Sequence, residues 1–447
     1  MNIFFQIIKS LLDVDRYKFT MSQFAFKFYR NVIVKYAFTN RTKNEKAEKI
    51  LIKLIPYIQN EVKKVRSLRY TFFELQHLKN KGIFKDDYLN YLSTAVLPDV
   101  LVEERNGKLH VETSGEWAIA MMWETILLAI ISELYSRYIA FEDQYGDDIT
   151  EYKNGELELL HGVLSGYEYE LIETIFKPYY NESSTRLNKK IDALKHHSFV
   201  KFFEFGTRRR FDSYNQRNVI SELGSTFHKP QFFGTSQFLG TSNELISMEN
   251  GWNAGGTIAH ECYMVIAGLN DQTAESLTAS QWNLLRQWNE FYGYDLSISL
   301  TDTFGSDWFF KNCPEDIAKM YSFREDSALD LYKYTLQTIE LYQRYGIDQH
   351  DKVIIHSNSL DVNKVIAQDS FSQGKIQKVY GIGTDLSCDV GNDYPHLSMV
   401  IKAVEADGHH LVKLSDNLSK AIGDKETIEK YKQAFGYVNQ ESETQIH

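Results

Sequence analysis

The chain has 447 residues, enough to bury a large hydrophobic core and to form two domains. Its formal net charge is -11, and the sequence contains no block of Lys or Arg long enough to form a basic tail. A nucleic-acid partner would require a basic surface, so that class is disfavoured. Three dispersed cysteines are too few for a disulfide framework or a thiolate metal site, and they indicate a reducing compartment.

The N-terminal segment MNIFFQIIKSLLDVDRYKF lacks the basic region and the small-residue cleavage site of a signal peptide. The most apolar stretch, residues 117–134, carries Glu124 and Glu133. Those two carboxylates favour a buried helix over a membrane span. We therefore predict a cytoplasmic protein with no membrane partner.

The first part of the chain is predicted to contain both helices and strands. Residues 44–65 have a helical period, and residues 108–112 alternate like an exposed strand after an Asn-Gly turn signal. Helical periods return at residues 281–291 and 327–345, and residues 398–416 are typical of a hairpin around Asp407-Gly408.

From about residue 198, short apolar runs recur and end in small, polar or charged clusters. The seven clusters are Gly206 to Arg210, Gly240 to Asn243, Gly256-Thr257 before His260, Thr301 to Thr303, Arg324 to Ser327, Asn358-Ser359 and Gly381 to Thr384. Strands that alternate with helices predict a parallel sheet, and seven polar strand ends favour a closed or nearly closed α/β barrel with one functional mouth. The alternative for each cluster alone is an ordinary turn.

Rare proline and the lack of a Ser/Gly linker predict two domains packed together. We expect a barrel domain at residues 146–391. A smaller N-terminal α+β domain would cover residues 1–145 and be completed by residues 392–447, because the hairpin has no barrel-type helix after it.

Several of the clusters suit anions. Gly381 to Thr384 follows a strand and can present backbone N–H groups to a phosphate, although glycines there often only turn the chain. The adjacent arginines Arg208, Arg209 and Arg210 suit a carboxylate or phosphate, with surface salt bridges as the alternative. Phe205 is either a stacking ring or a core residue.

The remaining candidates carry acid–base or nucleophilic chemistry. Asp302 and Asp326 at strand ends suit ribose hydroxyls or a magnesium ion, with helix N-capping as the alternative. His260 is a candidate acid, base or nucleophile that Glu261 would orient, although a lone His is usually structural. Position 264 is Met264, so His260-Glu261 does not begin a zinc-binding HExxH motif.

These segments, taken in order, resemble the nicotinate phosphoribosyltransferase family. The motifs are LLDVDRYKFTM, FGTRRRF, GTSN, GTxAHE, LTDTF, Arg-x-Asp-Ser, SxSLD, GIGT and the VIKxVExDG…VKLSD hairpin, and they span nearly the whole chain.

The resemblance implies an incomplete α/β barrel with a smaller α+β domain from both chain ends, in a homodimer with shared active sites. It implies a reaction of nicotinate with phosphoribosyl pyrophosphate that gives nicotinate mononucleotide and pyrophosphate, in NAD biosynthesis. It also implies Mg²⁺, and ATP hydrolysis coupled through a phosphorylated histidine.

The resemblance also implies residue roles. His260 is the phospho-acceptor, and Asp302 and Asp326 handle ribose hydroxyls and magnesium, with Asp302 as the metal ligand. The implied substrate-binding residues are Tyr17 (from the partner subunit), Phe205, Thr207, Arg208, Arg209, Thr257, Glu261, Arg324, Ser327, Asn358, Gly383 and Thr384.

Two departures from the family pattern stand out. The family usually has Asp-Ser-Gly-Asp-Pro where this chain has Asp326-Ser327-Ala328-Leu329-Asp330, and Ser-Asp where it has Ser357-Asn358. Loss of a glycine and of a carboxylate affects the ribose and metal contacts. Two alternatives therefore stay open: a nicotinamide-specific enzyme, against which Arg210 counts, and a weakly active or non-catalytic nucleotide-binding relative.

Overall fold

A computed structural model describes residues 6–146, 154–197, 199–227, 236–417 and 420–437. The chain forms two compact units. Unit 1 comprises Met1–Asn31, Lys35–Gly256 and Ile382–Lys402, and unit 2 comprises Val32–Val34, Thr257–Gly381 and Ala403–His447. The predicted domain bounds at residues 145 and 391 stay a prediction.

Eleven strands occur in the described residues, and β1, β9 and β10 contain residues of both units. They are β1 Ile33–Asn40, β2 Val100–Arg105, β3 Lys108–Glu116, β4 Lys201–Glu204, β5 Gln237–Thr241, β6 Ile298–Leu300, β7 Ser322–Glu325, β8 Val353–His356, β9 Gln377–Ile382, β10 Met399–Ala406 and β11 His409–His410.

The helices of unit 1 are α1 Tyr17–Phe28, α2 Glu45–Lys53, α3 Ile55–Ser67, α4 Phe72–Asn80, α5 Asp86–Thr94, α6 Trp117–Ala120, α7 Trp123–Tyr145, α8 Asn154–Ser165, α9 Tyr169–Lys195, α10 Ser213–Phe227, α11 Glu244–Asn250 and α18 Thr384–Ser387. Those of unit 2 are α12 His260–Leu269, α13 Ala274–Tyr292, α14 Ser306–Asn312, α15 Glu315–Met320, α16 Leu331–Arg344, α17 Val362–Ser372 and α19 Lys425–Ala434.

Unit 1 contains antiparallel strands in the order β10-β1-β3-β2. The β2–β3 hairpin turns at Asn106 and Gly107, with φ values of 51° and 72°. Two positive φ values are what a tight two-residue hairpin turn requires, and an Asn-Gly pair adopts them readily. The strand expected at residues 108–112 is therefore confirmed, and it continues to Glu116.

The apolar stretch at residues 117–134 forms α6 and the first half of α7. Residues 117–145 are long and apolar enough to cross a membrane, but their most apolar window is completely buried within the protein. The predicted buried helix is confirmed. Its carboxylates have cationic partners, with Glu124 2.6 Å from Lys18 and Glu133 3.0 Å from Arg137, as buried charges require.

Parallel pairing occurs in both units. In unit 1, β4 pairs with β5. In unit 2, the parallel strands follow the order β9-β8-β7-β6, with α16 between β7 and β8 and α17 between β8 and β9. The α/β class, with a parallel sheet and a separate antiparallel sheet, is confirmed.

Two details of the sequence prediction were wrong. Gly256-Thr257 follows no strand, because residues 252–259 lie outside any regular element and two adjacent glycines favour no extended pairing. Residues 318–320 belong to α15, so β7 is only the four residues Ser322–Glu325.

The C-terminal hairpin is shorter than its pattern suggests. Glu405 pairs with His410 and Ala406 with His409, and the turn lies at Asp407 and Gly408, as predicted. The second strand ends at once. Lys413 makes only an isolated bridge with Ile422. The polar VKLSD segment, which contains Lys413, therefore lies outside the paired strands and is available to the site of unit 2.

Candidate functional site

The loop after β4 in unit 1 is held tightly. The Phe205 N–H donates to the Ile382 carbonyl at 2.7 Å. A side chain at Gly206 would place a Cβ 1.8 Å from the Ser387 hydroxyl, so only glycine fits there. Thr207 begins a short 3-10 turn, and its buried hydroxyl accepts hydrogen bonds from Gln216 and Asn243 at 3.0 and 3.3 Å.

The three adjacent arginines have different environments. Arg210 is completely buried and forms a bidentate pair with Asp13 at 2.7 and 2.8 Å. The idea that Arg210 favours an acidic substrate is therefore wrong, because its guanidinium is already neutralised inside the core. Arg209 is exposed and Arg208 is half-buried, so these two stay candidates for an anion.

Arg208 belongs to a charge cluster that sequence analysis missed. The Glu124 carboxylate faces Lys18 at 2.6 Å, Lys402 at 2.7 Å and Arg208 at 3.4 Å. Arg208 also lies 3.5 Å from Asp15. Burial would raise the pKa of Glu124, but the three cations outweigh it and hold that pKa well below its ordinary value. The available signal was a lysine inside each of two quoted motifs, DRYKF and VIKxVE.

Tyr17 lies beside this cluster in its own chain. It begins α1, is 6% exposed, and packs against Gly256, whose φ of 124° suits glycine. Burial raises the pKa of the Tyr17 hydroxyl, and the positive charge of Arg208 opposes that rise. A stacking role from a partner subunit stays a prediction.

Gly383 and Thr384 lie after β9, at the start of α18. Both are half-buried, and Gly383 approaches the Phe205 carbonyl, which lies 3.5 Å from the position of a Cβ. Phe205 is half-buried and lies against Phe203, with 5.9 Å between ring centroids. The Phe205 ring is therefore only partly included in the core.

In unit 2, His260 lies at the first position of α12 and is 6% exposed. Its Nδ1 lies 2.9 Å from the Thr303 hydroxyl, and its Nε2 lies 3.2 Å from Asp326 and 3.0 Å from the Lys413 ammonium. Burial lowers the pKa of His260, and Lys413 lowers it further, against the raising effect of Asp302. A neutral imidazole, which can act as a nucleophile, is therefore favoured.

Asp302 and Asp326 both flank that imidazole. Asp302 is 3.6 Å from His260 Nε2 and 3.4 Å from Lys413, and it accepts a hydrogen bond from Ser327. Burial would raise the pKa of both carboxylates, but His260 and Lys413 lower the pKa of Asp302, and Arg324, His260 and Lys413 lower that of Asp326. Both are therefore ionised at neutral pH.

Arg324 orients the second carboxylate. Its guanidinium lies 3.5 Å from Asp326 and donates to the Ser357 hydroxyl at 3.0 Å. Ser357 in turn donates to Asp326 at 3.1 Å. Sequence analysis did not single out Lys413, Thr303 or Ser357 as site residues.

The two positions that depart from the family pattern, Ala328 and Asn358, are in contact. The Asn358 amide donates to the Ala328 carbonyl at 3.0 Å, and its oxygen accepts from Lys420 at 2.7 Å. Ala328 is not among the residues with positive φ, so alanine fits its backbone without strain. Asp330 accepts from the Tyr332 and Lys333 N–H groups and so caps α16.

Two further predicted residues lie in unit 2. The Thr257 hydroxyl donates to the Ile298 carbonyl at 3.2 Å. Glu261 is buried at the second position of α12, and its predicted role stays a prediction. Thr303, Asp326 and Lys413 contact the His260 ring.

The described residues offer few side chains that could hold a metal ion. Among the described residues, no group of three or more His, Cys, Asp and Glu side chains is arranged to hold a metal ion. One buried oxygen, Asp302 Oδ1, has no hydrogen-bond partner in that part of the chain. This oxygen could supply one ligand to a metal ion. Its metal role stays a prediction.

Comparison with known proteins decides the family. A profile described as the nicotinate phosphoribosyltransferase (NAPRTase) family matches residues 200–439, and the profile of its N-terminal domain matches residues 12–132. The chain belongs to the nicotinate phosphoribosyltransferase family. The predicted resemblance is thereby confirmed, and the candidate residues of both units lie within or close to the matched segments.

Solved structures agree with that assignment. The nicotinate phosphoribosyltransferase of Porphyromonas gingivalis is 25% identical, with 96% of this chain and 100% of that chain covered and a TM-score of 0.78. The enzyme of Vibrio cholerae is 27% identical, with 97% and 94% covered and a TM-score of 0.76. The similarity therefore extends over 94–100% of the length of these two relatives.

Removal of Arg210 should destabilise the protein strongly. Arg210→Met leaves Asp13 charged and buried without its bidentate partner, which costs about 3–5 kcal/mol of unfolding free energy. The control is Arg286→Met, because Arg286 pairs with Asp316 at the surface and such pairs contribute about 0–1 kcal/mol. Denaturant unfolding measures both, and equal losses would contradict the analysis.

A second prediction concerns pH. Burial, together with Asp326, raises the pKa of Glu325 from 4.5 to about 8, so the folded protein holds a proton there that the unfolded chain releases. This contribution to stability is present below pH 4.5 and is lost as pH rises towards 8. Glu325→Gln cannot ionise, and its melting temperature should rise relative to the wild type over that interval.

The matched control for this pH effect is Glu315→Gln, whose side chain is 55% exposed. Its stability difference from the wild type should not change between pH 4.5 and 8. A constant difference for Glu325→Gln as well would refute the buried, protonated carboxyl.

Proposed function

We propose that this protein is an active nicotinate phosphoribosyltransferase that couples transfer to ATP hydrolysis through His260. The observation that carries this proposal is the His260 imidazole, which is buried between two carboxylates and the Lys413 ammonium. A histidine with a purely structural role gains nothing from three charged groups around its ring. A histidine that accepts and releases a phosphoryl group changes its own charge during the cycle, and charged neighbours can stabilise both states.

The transfer itself needs little covalent chemistry from the protein. The pyridine nitrogen of nicotinate forms a bond to the anomeric carbon of the ribose, and the bond from that carbon to pyrophosphate breaks. Positive charge develops on the ribose, and Asp302 and Asp326 are proposed to stabilise it. Phe205 on one side and Tyr17 of the partner subunit on the other are proposed to hold the pyridine ring in line for attack.

ATP coupling is proposed to use the neutral imidazole. A nitrogen of His260 attacks the terminal phosphorus of ATP, the bond to the bridging oxygen breaks, and ADP leaves. The phosphoryl on His260 later passes to water. The depressed pKa of His260 supports this role, because a protonated ring has no lone pair for the attack.

The remaining contacts are proposed by position. Arg324, Ser327, Asn358 and Thr257 would bind the ribose and phosphates, and Gly383 and Thr384 would present backbone N–H groups to the 5-phosphate. Asp302 would be one ligand to a magnesium ion, which would supply positive charge for the departing pyrophosphate. A cytoplasmic homodimer with shared active sites completes the proposal.

One assay tests the activity. Purified protein with nicotinate, phosphoribosyl pyrophosphate and magnesium should release pyrophosphate, and ATP should stimulate that release. Absence of turnover would reject the proposal. The contact between Asn358 and Ala328 favours a second candidate, a relative that binds substrate but turns over poorly. Calorimetry that detects tight binding without product would support it, and competition with nicotinamide tests the choice of base.

His260→Ala should abolish the stimulation by ATP and leave a slow transfer that ATP does not affect. The reason is that alanine removes the phosphoryl acceptor but leaves Asp302 and Asp326 in place. His350→Ala is the matched control, since the His350 side chain is 57% exposed and lies in a surface turn. If ATP stimulation survives in His260→Ala, the phosphohistidine role is wrong.

A further inference from the structure

The turn that follows β9 is held by a lysine of helix α9. The Lys190 ammonium donates to the main-chain carbonyl of Asp385, donates to the Asp389 carboxylate at 2.6 Å and lies 3.2 Å from the Asp385 carboxylate. An ammonium has three N–H donors, so one head can satisfy three acceptors of the same segment. Lys190 therefore holds residues 385–389, which directly follow Gly383 and Thr384.

These contacts are partly buried. The exposed fraction of the side chain is 15% for Lys190, 22% for Asp385 and 20% for Asp389. Arg186 lies one helical turn earlier on α9, where it donates to the other carboxylate oxygen of Asp389 at 3.2 Å and to Glu182 of its own helix at 2.6 Å. Both oxygens of Asp389 thus accept from α9. Because partly buried pairs are screened less than exposed ones, this connection is stronger than an ordinary surface salt bridge.

The turn itself is too short to keep its orientation alone. Helix α18 contains only four residues, and a single helical turn is unstable by itself because it fixes many dihedral angles for few hydrogen bonds. Its orientation therefore depends on contacts from outside. At one end the Ser387 hydroxyl donates to the Gly206 carbonyl at 3.3 Å, and at the other Lys190 holds the Asp385 carbonyl. Asp385 directly follows Thr384, so the contact with Lys190 acts on the backbone beside the proposed phosphate loop.

Helix α9 lies outside the segments that the family profiles match. Those segments are residues 12–132 and 200–439, whereas α9 spans Tyr169–Lys195. No motif quoted for the family therefore includes Lys190, and its role follows from its contacts alone. The helix is packed against the remainder of unit 1, since Ile191, the neighbour of Lys190, is buried. Lys190 thus extends from a packed support to the turn.

We propose that Lys190 is a positioning residue for the phosphorylated ribose. By holding Asp385 and Asp389, it fixes the backbone of Gly383 and Thr384 in the orientation that receives the 5-phosphate. This inference rests on the proposed function and deepens it, since it assigns part of the affinity for phosphoribosyl pyrophosphate to a residue that does not touch the substrate. Backbone N–H donors bind an anion well when the chain already has the right conformation, because ordering a loop on binding costs free energy.

The test compares Lys190→Met with the wild type. Methionine keeps much of the apolar stem but cannot hold the two aspartates. The KM for phosphoribosyl pyrophosphate should rise by roughly 10-fold, as expected for the loss of a charged hydrogen-bond contact. The KM for nicotinate and the kcat at saturating phosphoribosyl pyrophosphate should stay within about twofold of the wild type, because the contact acts on the binding of one substrate. Lys190→Arg keeps the charge and the donors, so it should restore most of the affinity.

The matched control is Lys195→Met. Lys195 lies on the same helix, but its side chain is 53% exposed and pairs with Asp192 of that helix at 3.8 Å. Its kinetic constants should equal those of the wild type, since exposed pairs within one helix contribute little. Asp389→Asn tests the contact from the other side. It should also raise the KM for phosphoribosyl pyrophosphate, and the double variant with Lys190→Met should show less than the product of the two single factors.

Calorimetry with ribose 5-phosphate and with inorganic pyrophosphate gives a second readout, which requires no catalysis. Lys190→Met should weaken the binding of ribose 5-phosphate by roughly 10-fold and leave that of pyrophosphate unchanged. Circular dichroism and a thermal melt establish that each variant is folded. If the wild type has no turnover, the proposed function fails by itself, and this comparison still decides the role of Lys190.

Four results would overturn the inference. An unchanged KM for phosphoribosyl pyrophosphate in Lys190→Met would remove the positioning role. Equal changes in the KM values of both substrates, or no rescue by Lys190→Arg, would indicate a merely structural lysine. In calorimetry, a wild type that does not bind ribose 5-phosphate, or that binds it no more tightly than Lys190→Met does, would contradict a 5-phosphate loop held by α9.

Discussion

The Arg210–Asp13 pair is the interaction on which the arrangement of unit 1 depends. Asp13 accepts two hydrogen bonds from Arg210 and a third from Asn243 at 2.7 Å. The segment before α1 is thereby fixed to the loop after β4 and to the loop after β5. Because the partners lie far apart in sequence, these contacts hold Tyr17 and Arg208 within reach of the same charge cluster. A buried ion pair rarely adds much net stability, but it specifies which segments must meet.

In unit 2, the buried carboxylates around His260 are likewise paired with cations. Each carboxylate that approaches the ring has its own cation, with Lys413 beside Asp302 and Arg324 beside Asp326. The cost of burying the negative charges is offset locally, so the imidazole does not have to become positive to balance them. This pairing is consistent with a neutral ring surrounded by charged groups, a combination that is typical of functional sites.

Much of this arrangement could be predicted from sequence, and the failures have physical causes. An alternating pattern located β3, short apolar runs that end in polar clusters located β8 and β9, and the long apolar stretch located α6 and the first half of α7, because local hydrophobic pattern reflects burial. Adjacent arginines could not be separated by pattern, since the burial of Arg210 depends on Asp13, almost two hundred residues earlier. Lys402 and Lys413 were passed over for the same reason. A lysine in a strand or loop usually points to solvent, and only the folded chain reveals the carboxylate or imidazole that it faces.

The hydrogen bond from Asn358 to the Ala328 carbonyl has a consequence for dynamics. It ties the loop that follows β8 to the loop that follows β7, and Lys420 holds the other end of the same amide. An aspartate in that position has no N–H to give and would leave the two loops independent. In this chain, a displacement of one loop must stretch or break the hydrogen bond to the other, so the two loops are expected to move together.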